Sequence, residues 1–357
     1  MLEKVVGLMS GTSMDGVDAS FLETDGVNQI QFGESCSLPY KEEFKKKLED
    51  FIAHPQNASE LEQEITQIHA QAVKQLLHKA GLFYDEIDLV GFHGHTILHD
   101  PDHQKTWQMG DGSLLAEMTG IDVVNDFRSK DVLHGGQGAP LVPLFHKALS
   151  EGFKKPLGIL NLGGVANITW MNDQGEIVAF DTGPGNAMID DFLYRRRRKR
   201  MDEGGVLASS GTVDSTILEQ LLDHPFFKTQ GPKSLDRNAF DLQPVLSLTD
   251  SDGAATLCAF TAESVRKSLE LLPEPPKLWL VTGGGRRNST LMVDLTKRLK
   301  TEVKPVEEVG WDGDFLEAQA FGYLAVRSLK GLSISLPSTT GVEQPISGGV
   351  YHMKDRG

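Results

Sequence analysis

Val5-Val6-Gly7-Leu8-Met9-Ser10-Gly11-Thr12-Ser13-Met14-Asp15-Gly16-Val17-Asp18 is an apolar run that enters a turn of Gly, Ser, Thr and Asp and leaves as a second apolar run. Far downstream, Leu160-Asn161-Leu162-Gly163-Gly164-Val165-Ala166-Asn167-Ile168-Thr169 repeats the pattern. Each reads as a β-hairpin whose tight bend leaves peptide N–H groups facing outward, an arrangement suited to phosphate. Two such turns, one per half of the chain, suggest a nucleotide gripped by two lobes. An ordinary tight hairpin with Gly at positive φ is the competing explanation for either turn taken alone.

Between and beyond the hairpins the pattern is α/β. Ser59 and Glu62 read as a capping pair for a helix carried by Leu61, Ile65, Ile68, Ala72, Val73, Leu76 and Leu77 and closed by Gly81. A strand, Ile87 to Phe92, runs into the polar turn His93-Gly94-His95-Thr96, and Asp122 to Asn125 runs into Asp126-Phe127-Arg128. Gly152 and Pro156 mark a hinge, giving an N-terminal lobe over 1–152 and a C-terminal lobe over 153–357, whose last helix and tail have the option of packing back. In the second lobe the strand Ile177 to Phe180 delivers Asp181-Thr182-Gly183-Pro184-Gly185-Asn186 at its carboxyl end, where sites of α/β folds collect. The strand Leu278 to Val281 delivers Thr282-Gly283-Gly284-Gly285, and a last helix from about Phe315 to Leu329 carries Glu317 near its start.

Composition excludes several classes. The chain has 357 residues, 39% hydrophobic and 24% charged, enough for two domains with separate cores. Its net charge of −15 disfavours nucleic acid and anionic membrane as partners. Two cysteines make no disulfide framework, and no apolar stretch approaches the roughly 20 residues of a membrane span. A cytoplasmic location is expected. The run Arg195 to Arg200 reads as a solvated helix end rather than an RNA patch, because cations complement the helix dipole there. His93, His95, His99 and His103 match no common metal spacing.

Met9 to Asp18, Leu160 to Thr169, Asp126-Phe127-Arg128, Gly135 to Pro143, Asp181 to Asn186, Ala254 to Ala262, Gly283 to Gly285, Glu317 to Phe321 and Leu336 to Gly341 together resemble the anhydro-N-acetylmuramic acid kinases. The resemblance spans nearly the whole chain. It implies the α/β fold of the sugar kinase, Hsp70 and actin superfamily, two ribonuclease H-like lobes with an ATP cleft between them. It also implies an ATP-dependent opening of the 1,6-anhydro ring of a cell-wall sugar, with water added at C1 and phosphate transferred to O6, in peptidoglycan recycling. The partners implied are a small sugar and ATP, with room for a homodimer.

Roles follow from the resemblance and from the chemistry. Water is a weak nucleophile at an acetal carbon, so a carboxylate base is needed, and Asp181 beside Gly183 and Gly185 fits that need. The alternative is an Asp that caps the helix beginning near Asn186. ATP binding is implied for Gly11, Thr12, Ser13, Met14, Asp15, Gly16, Val17 and Asp18, with Asp15 or Asp18 organising Mg²⁺ through water. Gly163 and Gly164 would hold phosphate, and Gly283, Gly284 and Gly285 adenosine and the α-phosphate, unless the last is a plain strand-to-helix turn. Thr96, Arg128 and Glu317 are the candidate sugar contacts. Arg128 would pair with the lactyl carboxylate, or else with Asp126 or Asp131 internally; Glu317 would read hydroxyls, or only favour its helix N-terminus. Two departures bear on specificity: Gly94-His95-Thr96 stands where the family has Gly-Gln-Thr, and Lys233-Ser234-Leu235-Asp236-Arg237-Asn238 replaces a Lys-Ser-Thr-Gly-Arg-Glu-like run.

Overall fold

The hairpin read from residues 5–18 is the seed of a larger sheet in a computed structural model, which describes residues 1–11, 13–55 and 57–355. Strands β1 (Glu3–Ser10) and β2 (Gly16–Thr24) pair antiparallel, and β3 (Ile30–Pro39) continues the meander as the sheet edge. On the other side of β1 lie β4 (Leu89–Asp100), parallel to it, then β6 (Val123–Asn125), with β5 (Lys105–Met109) paired to the far end of β4. The chain closes this sheet with β12 (Val350–His352) antiparallel to β6, giving seven strands.

The second sheet has the order β11-β10-β7-β8-β9, from β7 (Leu157–Leu162), β8 (Val165–Met171), β9 (Ile177–Pro184), β10 (Leu278–Thr282) and β11 (Glu302–Pro305). Its three-strand meander followed by two parallel strands repeats the order β3-β2-β1-β4-β6 of the first. Both are ribonuclease H-like, and both keep a glycine turn between their first two strands.

The chain forms two units. One is residues 1–151 with 315–357, the other 152–314. The chain passes from the first unit to the second at Gly152 and returns to the first at Phe315. Packing explains the return. The helix Leu316–Leu329 lies on β1 and β4, and its backbone comes so close that a Cβ on Gly7 would sit 1.8 Å from the Ala318 carbonyl oxygen, and one on Gly91 2.1 Å from that of Phe321. Glycine in mid-strand is here a site of close backbone approach.

Four details differ from the sequence expectations. The stretch after Leu22, read from sequence as less regular to about Gln56, contains β3 and the helix Glu42–Ala53. The exposed residues of an edge strand blur its period-two pattern. Ser59 is the first helical residue of Ser59–Ala80 and Ala58 its N-cap, while Glu62 accepts the Gly110 N–H, so the capping pair does not form. Residues 93–96 are strand rather than turn, since β4 runs on to pair with β5. Strand β9 likewise continues past Phe180 to Pro184, because residues 181–184 keep pairing with β8.

The first unit buries His69, His93, His95 and His146. Burial holds each imidazole below the usual histidine range, to about 4 for His69 and His95 and about 3 for His146. The unfolded chain takes up protons below about pH 6.5 while the folded histidines stay neutral, so stability is lost as pH falls. Thermal melts should show a midpoint that drops between about pH 6.5 and 4; a flat profile over that range would contradict the buried neutral rings.

Candidate active site

The candidate residues fall into two groups, one in each unit. In the first, the turn after β1 is closed by the Met14 N–H donating to the Gly11 carbonyl at 3.0 Å, with Met14 in the left-handed region at φ 55°. A non-glycine residue held there is strained, as in many functional loops. Thr12 lies outside the described residues. A Cβ on Gly11 would make an ordinary contact with Ser13 Oγ at 3.7 Å, whereas Gly16 is needed by the sheet: its Cβ would lie 2.3 Å from the Leu38 carbonyl oxygen of β3.

Behind this turn runs a buried hydrogen-bonded row. Ser10 Oγ lies 2.7 Å from the Tyr40 hydroxyl and 2.9 Å from His95 Nδ1, and the Tyr40 N–H donates to the Asp15 carbonyl. His95 is 1% exposed, so this departure from the family pattern falls in the wall behind the turn. Asp18 accepts the Ser37 hydroxyl, and Asp15 is exposed. Among the described residues no group of three His, Cys, Asp or Glu side chains could hold a metal.

Arg128 is held by a histidine and a backbone carbonyl. Its Nε and Nη2 donate to His93 Nε2 at 3.1 and 3.0 Å, and its Nη1 donates to the Gly138 carbonyl at 2.6 Å. Asp131 instead accepts the Gly138 N–H and the Thr340 hydroxyl. His93 places Nδ1 2.9 Å from the Gly94 carbonyl, which sets its tautomer with Nδ1 protonated and leaves Nε2 to accept from the guanidinium. The His93 and Phe321 ring centroids are 4.4 Å apart, with Phe321 one turn beyond exposed Glu317 on the same helix. Thr96, half-buried on β4, accepts Gln108 Nε2 at 3.4 Å.

In the second unit three glycine loops meet at one end of the sheet. The N–H groups of Asn186 and Gly185 donate to the carbonyls of Gly163 and Gly164 at 2.8 and 2.9 Å, and Asn186 Nδ2 donates to the Leu162 carbonyl. Gly283, at φ 76°, and Gly285 abut β7: a Cβ on either would come within 2.3 Å of Asn161 Oδ1 or 2.6 Å of Leu162, while Gly284 has open space. The segment Gly284–Arg287 is a short 3-10 turn before the helix Ser289–Leu299, so the triple glycine does make a strand-to-helix turn, one packed on Asn161 and Leu162 at the end of β7.

Asp181 is 8% exposed and sits within β9, opposite Asn167, rather than after the strand. It does not cap the next helix, Ala187–Arg197, whose N-cap is Asn186. Instead a loop covers it. The Asp181 N–H donates to the Lys233 carbonyl at 2.9 Å, and the Leu235 N–H donates to Asp181 Oδ2 at 2.8 Å. Sequence reading missed both partners, since no periodicity shows which irregular segment returns to a strand.

Arg196 and Arg197 both pair with Asp250, at 2.7 and 2.6 Å, so part of the basic run is spent on internal ion pairs. His99 lies 3.1 Å from Thr106 and packs on Gly138, and His103 pairs with Asp100.

Two ribonuclease H-like units, each with a glycine turn between its first two strands, define the actin-like ATPase and sugar kinase fold class. The chain is similar in fold to Acidaminococcus fermentans (R)-2-hydroxyglutaryl-CoA dehydratase component A, at a TM-score of 0.51 and 10% identity over 92% of this chain and 99% of that one. The family model for anhydro-N-acetylmuramic acid kinase matches residues 3–354, and the chain belongs to that family of kinases. Relatives carrying that name include one from Rhodospirillum rubrum, 51% identical over 97% of this chain and 93% of its own, and one from Paramagnetospirillum magneticum, 49% identical over 98% and 99%. Among the described residues no helix is long and apolar enough to cross a membrane.

Proposed function

We propose that the chain uses ATP and water to open 1,6-anhydro-N-acetylmuramic acid, giving N-acetylmuramic acid 6-phosphate and ADP, as a cytoplasmic step of peptidoglycan recycling. The observation that carries this reading is the family match over residues 3–354, which includes the carboxylate the chemistry requires. Asp181 takes a proton from water as the water oxygen bonds to C1. The C1–O6 bond breaks, its electrons stay on O6, and O6 bonds to the γ-phosphorus while the bond to ADP breaks. Neither half is easy alone: alkoxide is a poor leaving group unless an electrophile captures it, and water is a poor nucleophile without a base.

The remaining roles are assigned on the same reading. The turns at 11–18 and 163–164 hold phosphate, 283–285 lies along the adenosine and α-phosphate, and Mg²⁺ bound through water near Asp15 and Asp18 would offset phosphate charge. The Leu235 N–H orients the Asp181 carboxylate, and His93 orients Arg128 toward the lactyl carboxylate. Thr96 and Glu317 contact the sugar, and a homodimer is the assembly the family suggests.

The test is ADP release with and without 1,6-anhydro-N-acetylmuramic acid, followed by phosphorus NMR of the product. Strong stimulation and a phosphomonoester at O6 are expected. Stimulation only by a different anhydro-sugar would move the substrate, and a basal rate unaltered by every sugar would point to an ATP-gated binding protein.

A further inference from the structure

Lys233 is a cation in an unusual place. It is 6% exposed, in a loop that follows the apolar turn Pro225–Lys228. Its ammonium donates to the Phe226 and Thr229 carbonyls at 2.9 and 3.0 Å and lies 4.2 Å from the centroid of the Phe226 ring. These partners are neutral, and a cation withdrawn from water calls for an anion nearby. The anion that acts on it is Asp181: burial pushes the lysine down to about 8, and the Asp181 charge draws it back up.

The same two residues are joined through the backbone, by the Asp181 N–H to the Lys233 carbonyl and, two residues on, by the Leu235 N–H to Asp181 Oδ2. The other charged groups of the neighbouring segments have their own partners. Asp223 pairs with Lys228, Arg237 with Asp191, Asp236 accepts the Asn238 N–H, and Lys267 lies against the Phe227 ring.

We propose that Lys233 is a positioning residue for the reaction: clamped by Phe226 and Thr229, it fixes the loop that delivers the Leu235 N–H to Asp181, and its charge favours the ionised carboxylate that accepts the proton of water. This inference rests on Asp181 being the base. An opposite charge holds a carboxyl down, so removing it lets the acid limb of the rate profile rise.

The experiment compares kcat/KM for the anhydro-sugar against pH in the wild type, Lys233→Met, Lys233→Arg and Asp181→Asn. Lys233→Met should raise the acid limb by about one pH unit and lower kcat near neutral pH by about tenfold, with KM for ATP little changed. Lys233→Arg, which keeps the charge, should return the acid limb to its wild-type position. A Lys233→Met enzyme whose acid limb stays at the wild-type pH would overturn the proposal even if its melting temperature falls, since a purely structural lysine would change stability and leave the limb in place. Should Lys233→Met fail to fold, Phe226→Leu removes the ring that seats the ammonium and keeps the lysine. A smaller rise of the limb is then expected, and no rise overturns the proposal. The two readings separate cleanly: an active Asp181→Asn enzyme removes the base assignment, whereas an inactive one beside an unshifted Lys233→Met removes only the role of Lys233.

Discussion

Asp181→Asn should lower kcat by about 10² to 10⁴, the range that general base catalysis supplies, while the Kd for ATP stays within about twofold. The substitution keeps the shape of the side chain and an oxygen able to accept the Leu235 N–H, so the covering loop and strand β9 have no reason to move. What it removes is the ability to take a proton from water. The measurement is a coupled assay for ADP together with titration calorimetry of a non-hydrolysable ATP analogue. A variant that binds ATP poorly but turns over normally at saturation would make Asp181 part of nucleotide binding and end its assignment as base.

Gly7→Ala should be the most damaging single methyl in the first unit. The added carbon would sit 1.8 Å from the Ala318 carbonyl oxygen and 2.7 Å from the Gly322 N, both backbone atoms of the packed helix, which have no rotamer to escape into. Overpacking commonly costs about 1–3 kcal/mol, and contacts with backbone lie at or above the top of that range. At about 2–4 °C per kcal/mol for a unit of this size, the melting temperature should fall by about 6–12 °C. Gly284→Ala is the control, because nothing lies within 4 Å of its Cβ position and the melting temperature should hold. A Gly7→Ala protein that melts with the wild type would mean that the helix Leu316–Leu329 does not bear on β1 as described.

Much of the fold is legible without coordinates because it is built from local signals. The two hairpins at 5–18 and 160–169 are read from Gly-rich bends between apolar runs, and they turn out to occupy equivalent places in two sheets of the same order. The helix that ends at Gly81 is also local, resting on periodicity and on a left-handed stop. What failed was local evidence that tertiary contacts outweighed. Ser59 and Glu62 have the spacing of a capping pair, yet Glu62 is engaged by Gly110, and β4 and β9 continue through polar residues because a neighbouring strand offers pairing partners.

The candidate site divides along the same line. Short motifs and their order in the chain suffice to identify the family, and the chemical need for a carboxylate makes Asp181 the candidate base. Which groups surround that carboxylate is a matter of loop return over some fifty residues, 181 to 233–235, and loop closure leaves no periodic trace. The pairing of Arg128 with His93, the glycines that let a C-terminal helix rest on β1 and β4, and the lysine behind Asp181 were therefore decided only when distant segments met, because contact free energy depends on which atoms become neighbours and not on their order along the chain.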